Sequence, residues 1–155
     1  MAFYLAKERD ADIAGSYRRY QDYLRQNKHR FPIGAFALAT AIWWQLPKDR
    51  RCPHDCPLEN LTITEVRGNE EQKITTIRIR LLKYPNTIIE LFYPRVFRFA
   101  LRSPSSKNGL RYWRYDEFTV SRSGHIIHEI EWSGSYNGAR WIIEASDIEF
   151  QAIPK

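Results

Sequence analysis

Little in this sequence marks it as exported, membrane-spanning or built on disulfides. Only two cysteines occur in 155 residues. Cys52 and Cys56 are separated by Pro-His-Asp, so a bridge between them would close a tiny loop and constrain the unfolded chain little. Reduced thiols are the default. The longest apolar run, Ile33 to Trp44, has twelve residues, too short for a bilayer and too far along the chain for a signal peptide. At the start, Met1-Ala-Phe-Tyr-Leu5 is brief and is followed by Lys7-Glu-Arg-Asp10, where an export signal would keep its hydrophobic stretch. A cytoplasmic protein with no membrane contact is expected. No Gly/Ser-rich or acidic stretch, internal repeat or low-complexity tract interrupts the chain, so one α+β domain over 1–155 is expected, its helical part at 1–46 and its sheet at 58–153.

What is present suits a packed core. Hydrophobic residues make up 43% of the chain and aromatics 14%, enough to offset chain entropy, and the charged fraction of 27% is ordinary. The net charge is +6 and uneven: residues 1–111 carry 20 Lys and Arg against 11 Asp and Glu, whereas residues 112–155 carry 4 against 7. This polarity can steer an acidic partner, nucleic acid or protein, but selects neither.

From Glu8 to Lys28, Ile13, Tyr17, Tyr20 and Leu24 recur at helical spacing and line one face. Phe31-Pro32 ends that helix, and Pro32 suits the first turn of a second over 33–45, apolar all round and therefore buried; a strand over 35–44 stays open as the alternative. The proline-rich stretch from Leu46 to Pro57 reads as an ordered loop. Beyond it the period becomes two. Ile77, Ile79 and Leu81 alternate with Arg78, Arg80 and Leu82, and Phe97, Phe99 and Leu101 with Arg98, Ala100 and Arg102, giving half-buried strands. Tyr84-Pro-Asn86 supplies a turn. Arg122-Ser-Gly124 fits a three-residue hairpin loop that pairs Phe118 with His128, Val120 with Ile126 and Glu117 with Glu129. Asn137-Gly138 favours a type I′ turn, which would set Trp132 opposite Ile143, Ile130 opposite Ala145 and His128 opposite Asp147. The expected fold is thus two N-terminal helices packed on a mainly antiparallel sheet of about six or seven strands.

Several clusters carry possible chemistry. Cys52, His54, Asp55 and Cys56 are side chains that zinc favours, but the spacing departs from the usual pair of intervening residues, and only His125 and His128 remain to complete a set. The bland reading is a loop in which His54 or Asp55 bonds nearby backbone. His54-Asp55 also resembles the dipeptide of metal-dependent phosphohydrolases, which sits on a helix that Pro53 and Pro57 disfavour. His128, between Asp116 and Asp147 in the expected registers, would titrate upward. No serine or cysteine nucleophile accompanies it, and a satisfied core histidine is the commoner outcome. Glu117, Glu129, Glu131 and Glu144 would share the outer face, an acidic patch needing a cation from the N-terminal helix or from a partner protein. Arg78, Arg80, Arg98 and Arg102, with Tyr112 and Trp113, would contact phosphates and stack on bases if they shared a face, though solvated arginines on strands are common.

Arg51-Cys-Pro-His-Asp-Cys-Pro-Leu-Glu59, a run of strands, Tyr115-Asp-Glu-Phe118, His128-Glu-Ile-Glu-Trp132 and the ending Trp141-Ile-Ile-Glu-Ala-Ser-Asp-Ile-Glu-Phe150 together resemble small uncharacterised bacterial β-rich domains, some of them similar to immunity proteins of polymorphic toxin systems. The resemblance covers Arg51 to the C-terminus, and Cys56 departs from its pattern. It implies a bacterial source, a β-rich fold and a role in binding another protein rather than in turnover, and it points to no catalytic residues; no cofactor is expected. The leading expectation is a non-enzymatic protein-binding domain, the alternatives being a nucleic-acid-binding protein on the arginine face and a metalloprotein or enzyme on the Cys-Pro-His-Asp-Cys loop.

Overall fold

Two helices and a seven-stranded antiparallel sheet make up the computed structural model, which describes residues 2–5, 7–69, 72–103, 109–134 and 139–155. The α+β expectation holds. Helix α1 spans Ile13–Asn27, opened by the Asp12 carboxylate accepting from the Gly15 amide at 2.9 Å; an acceptor here satisfies an otherwise orphaned N–H. Helix α2, Ile33–Thr40, starts after Pro32, and a 3₁₀ turn over Ile42–Gln45 follows it. The region 35–44 is therefore not a strand, but the expected helix over 33–45 is interrupted: α2 ends at Thr40, Ala41 is extended, and the 3₁₀ turn begins at Ile42.

The strands are β1 Leu58–Arg67, β2 Lys73–Lys83, β3 Thr87–Arg102, β4 Trp113–Val120, β5 Ile126–Trp132, β6 Ala139–Ala145 and β7 Glu149–Pro154. They lie in the order β1-β2-β3-β6-β5-β4, and β7 adds to the first half of β3. Just before β1, the Asp55 amide donates to the Trp113 carbonyl at 2.8 Å and the Trp113 amide to Cys56 at 2.9 Å, joining the two ends of the strand path. Ile77, Ile79 and Leu81 are buried against Ile89, Leu91 and Tyr93, as the period of two predicts. Among the described residues no helix is long and apolar enough to cross a membrane.

The outer edge of β4 would expose unpaired backbone, which invites association. Helix α1 supplies substitutes. The Tyr20 hydroxyl accepts from the Phe118 amide at 2.6 Å and donates to its carbonyl at 2.8 Å, while Tyr23 accepts from Val120 at 3.0 Å. Residues 3–5 fold over the outer face of the same strand. There Glu117 accepts from the Phe3 and Tyr4 amides at 2.9 and 3.0 Å, and Arg9 reaches Glu131 at 2.6 Å. The chain thus meets much of the expected acidic patch itself, with Arg98 and His125 each within 3.5 Å of Glu144.

Two sequence expectations need correction. The β4–β5 register is the one the Arg-Ser-Gly loop predicts, with Phe118 opposite His128 and Glu117 opposite Glu129. The β5–β6 register is not: Trp132 lies opposite Ala139, Ile130 opposite Trp141 and His128 opposite Ile143. Asn137-Gly138 falls outside the described residues. What is visible is that β5 ends early, because Ser133 and Tyr112 exchange bonds of 2.8 and 3.1 Å and Gly134 lies so close to the Gly109 carbonyl that a Cβ would sit 2.3 Å from it. The resulting register sets the large Trp132 and Trp141 against smaller or slimmer partners. Second, Phe97 and Phe99 are each 43% exposed rather than covered. Pairing with β2 stops at Val96, and a bulge between Val96 and Arg98 takes Phe97 out of alternation and stacks it on His125 with centroids 3.9 Å apart.

The new register also removes Asp147 from His128. Asp147 instead caps α2, accepting from the Gly34 amide at 3.0 Å and Ala35 at 2.9 Å. Gly34 is required for that approach, since a Cβ there would lie 2.3 Å from the Ile148 carbonyl. Asp147→Ala should lower the unfolding free energy by about 1–2 kcal/mol, with Asp147→Asn losing much less. Urea unfolding of the two variants checks this; equal losses would remove the cap from the account.

Candidate functional site

Alternation along β4 sends Asp116 and Phe118 inward, and His128 on β5 faces the same interior. There a polar chain is sealed in aromatic walls. The Tyr93 hydroxyl lies 2.6 Å from His128 Nδ1, and His128 Nε2 lies 2.7 Å from Asp116 Oδ2. Asp116 also accepts from the Trp44 indole at 3.1 Å and the Trp113 indole at 3.4 Å. The Phe118 ring stacks on the imidazole with centroids 3.9 Å apart. Burial pushes the Tyr93 hydroxyl well above its ordinary range, so it keeps its proton and donates to Nδ1. Nε2 then carries the proton given to Asp116, which fixes the tautomer.

Tyr93 and His128 have no exposed surface, whereas Asp116 retains a little and reaches a cleft. This cleft, of about 710 Å³, lies between α1, the 3₁₀ turn, the loop over 46–54 and the start of β4. Trp44, Trp113 and Asp116 are its buried inner lining, and Tyr4, Tyr17, Leu46 and Pro53 line it too. Ile13, Ile42 and Leu46 stand at it half-exposed or more. Arg18 on α1 and Arg114 on β4 also line it, both exposed. Among the described residues neither arginine has a carboxylate within ion-pair distance, unlike Arg51 on Asp49 or Arg80 on Glu59.

The Cys-Pro-His-Asp-Cys loop packs as structure. Cys52 donates to the Trp44 carbonyl at 3.1 Å, and burial pushes its thiol up to about 11 and that of Cys56 up to about 12. Both therefore stay protonated near neutrality. Asp55 adopts φ 67° with its side chain in solvent, so no helix carries His54-Asp55. His54 sets its ring edge-on to Tyr115, and its buried Nδ1, 3.2 Å from Asp55, finds no hydrogen-bond geometry there. Among the described residues no three His, Cys, Asp or Glu side chains form a metal-holding group.

The predicted arginine row is tied down in part. Arg78 pairs with Glu90 and lies over the Phe92 ring, Arg80 reaches Glu59 at 3.0 Å and Glu90 at 3.6 Å, and Arg98 reaches Glu144 at 3.5 Å. Arg102 sits opposite Arg140 in the β3–β6 ladder. Trp113 is buried in the core and presents no stacking surface beside them. Of the residues singled out from sequence, the structure brings together Asp116 and His128, places His54 at the cleft, and sends Glu117, Asp55 and Asp147 elsewhere. Tyr93, Trp44, Arg18 and Arg114 carry no local motif.

The chain matches no known protein family, no curated protein and no solved structure.

Proposed function

We propose that the chain is a non-enzymatic binding domain of the cytoplasm whose binding site is the cleft between α1, residues 42–54 and β4. The observation that carries this reading is the cleft itself: its volume of about 710 Å³ lies in the range of small-molecule sites, and aromatic walls with a few convergent polar groups are the usual composition of such sites. Turnover has less support. His128 and Tyr93 are sealed off, three indole and imidazole N–H groups already engage Asp116, and Cys52 is held as a thiol. Buried, unbridged cysteines are in keeping with a reducing compartment.

Ala14 is exposed on α1 and lines the cleft, so Ala14→Trp should fill it without disturbing the core. A fragment screen read by melting temperature should yield compounds that stabilise the native chain and fail to stabilise the Ala14→Trp variant. Hits retained by that variant would place binding elsewhere.

A second reading is favoured by the apolar cleft mouth, where Ile42 is 76% exposed and Ile13 and Leu46 50% each. Surfaces of this kind mark protein contacts, and an immunity-like domain would use them to seat a side chain of a bacterial toxin. Ile42→Glu should then abolish partner binding while sparing small fragments that bind deeper in the cleft. Nucleic-acid binding draws the least support, since Arg78, Arg80 and Arg98 of the expected row are each paired with a carboxylate and Trp113 is buried away from them.

A further inference from the structure

The cleft has opposite chemistry at its two ends. At the inner end is Asp116. A carboxylate offers about four acceptor sites; Oδ2 receives His128 and Trp44, while Oδ1 receives only the long 3.4 Å bond from Trp113. Oδ1 therefore keeps acceptor capacity at a residue that lines the cleft, and a bare anion deep in the site would face a like charge. Aromatic rings make up much of the remaining lining, with Trp44 and Trp113 at 89° to one another and Tyr4 stacked on Tyr115 at 13°. At the exposed end stand Arg18 and Arg114, without carboxylate partners among the described residues. Arginine presents a planar fork matched to carboxylate and phosphate oxygens.

Resting on the reading of the cleft as the binding site, we infer that its ligand is a small planar aromatic acid carrying an N–H donor: the donor goes to Asp116, the ring between the aromatic walls, and the acid group to Arg18 and Arg114. The arrangement discriminates twice. A neutral analogue forfeits the arginines, and an amine in place of the acid is repelled by them. An acid of the same size without the N–H leaves Asp116 Oδ1 unsatisfied, and rejecting analogues that lack a required donor is what a buried polar group does well.

Calorimetric titration with four probes tests this: indole-3-acetate, 1-naphthaleneacetate, 3-methylindole and tryptamine. The expected order places indole-3-acetate first, about tenfold tighter than 3-methylindole or 1-naphthaleneacetate, with tryptamine weakest; tenfold corresponds to one good polar contact. Arg18→Gln and Arg114→Gln, both at exposed positions, should each weaken indole-3-acetate severalfold and leave 3-methylindole unchanged. Circular dichroism confirms that the variants fold. If 3-methylindole or tryptamine binds as well as the acid, or if both arginine variants keep full affinity for it, the ligand class is wrong while the cleft remains a site. Equal binding of 1-naphthaleneacetate and indole-3-acetate overturns the role given to Asp116. If no probe binds and the fragment screen also fails, the reading of the cleft falls with it.

Discussion

Replacing His128 by alanine is expected to lower the unfolding free energy by on the order of 4 kcal/mol, combining a cavity where a buried ring stood with two polar groups left without their partner. The ring is fully buried, stacked on Phe118, and bonded on both nitrogens. His128→Phe separates the two contributions. It refills most of the volume but leaves Tyr93 without a partner and Asp116 with its two indole donors only, so it should recover the cavity part and still cost about 1–3 kcal/mol. His125, stacked on the half-exposed Phe97, should tolerate alanine at under about 1 kcal/mol, as surface changes usually do. Urea unfolding of the three variants gives the comparison. A His128→Ala protein as stable as the His125→Ala one would show that the buried chain from Tyr93 to Asp116 does not hold the fold.

Glu117→Gln should change how stability depends on pH. Burial, reinforced by the nearby Glu129, raises the Glu117 carboxyl from 4.5 to about 7, against the opposing bonds from Phe3 and Tyr4. Between pH 4.5 and 7 the folded chain therefore holds a proton that the unfolded chain has lost. Folding stability from this group is full below the lower value and declines as pH rises through the upper one. A shift of this size is worth about 3 kcal/mol. Glutamine keeps an oxygen for the Phe3 and Tyr4 amides and does not titrate. The variant should match the native chain near pH 4.5 and exceed its stability by up to about 3 kcal/mol at pH 8. Unfolding curves across that range check it; parallel profiles would mean that Glu117 is solvated and that residues 3–5 do not cover it.

How much of this was legible in the sequence depended on how local the determining contact was. The β4–β5 hairpin was readable because Gly124 alone supplies the positive φ, 80°, that its loop needs. Register then fixed which side chains face inward, and His128 and Asp116 followed. The β5–β6 pairing does not follow from its turn residues alone, because the segment 109–112 draws Ser133 and Gly134 aside. Asp147 consequently serves not the histidine but the amides opening α2, 112 and 113 positions earlier. Tyr93 stands 35 positions from His128 and shows in sequence only as one inward residue among many. The cleft was invisible for the same reason. It is assembled from the margin between the apolar and wet faces of α1, the end of an apolar run and a proline-rich loop, none of which has a periodicity that points to the others.

The most direct test of the central claim is nuclear magnetic resonance of the five tryptophan indoles during titration of ¹⁵N-labelled protein with indole-3-acetate. The Trp44 and Trp113 indole signals, whose N–H groups hydrogen-bond Asp116 at the inner wall, should move saturably and together, while that of Trp141, packed on Trp132 away from the cleft lining, stays in place. Saturable movement of Trp141 without Trp44 and Trp113, or no movement of any indole at millimolar probe, would contradict the account.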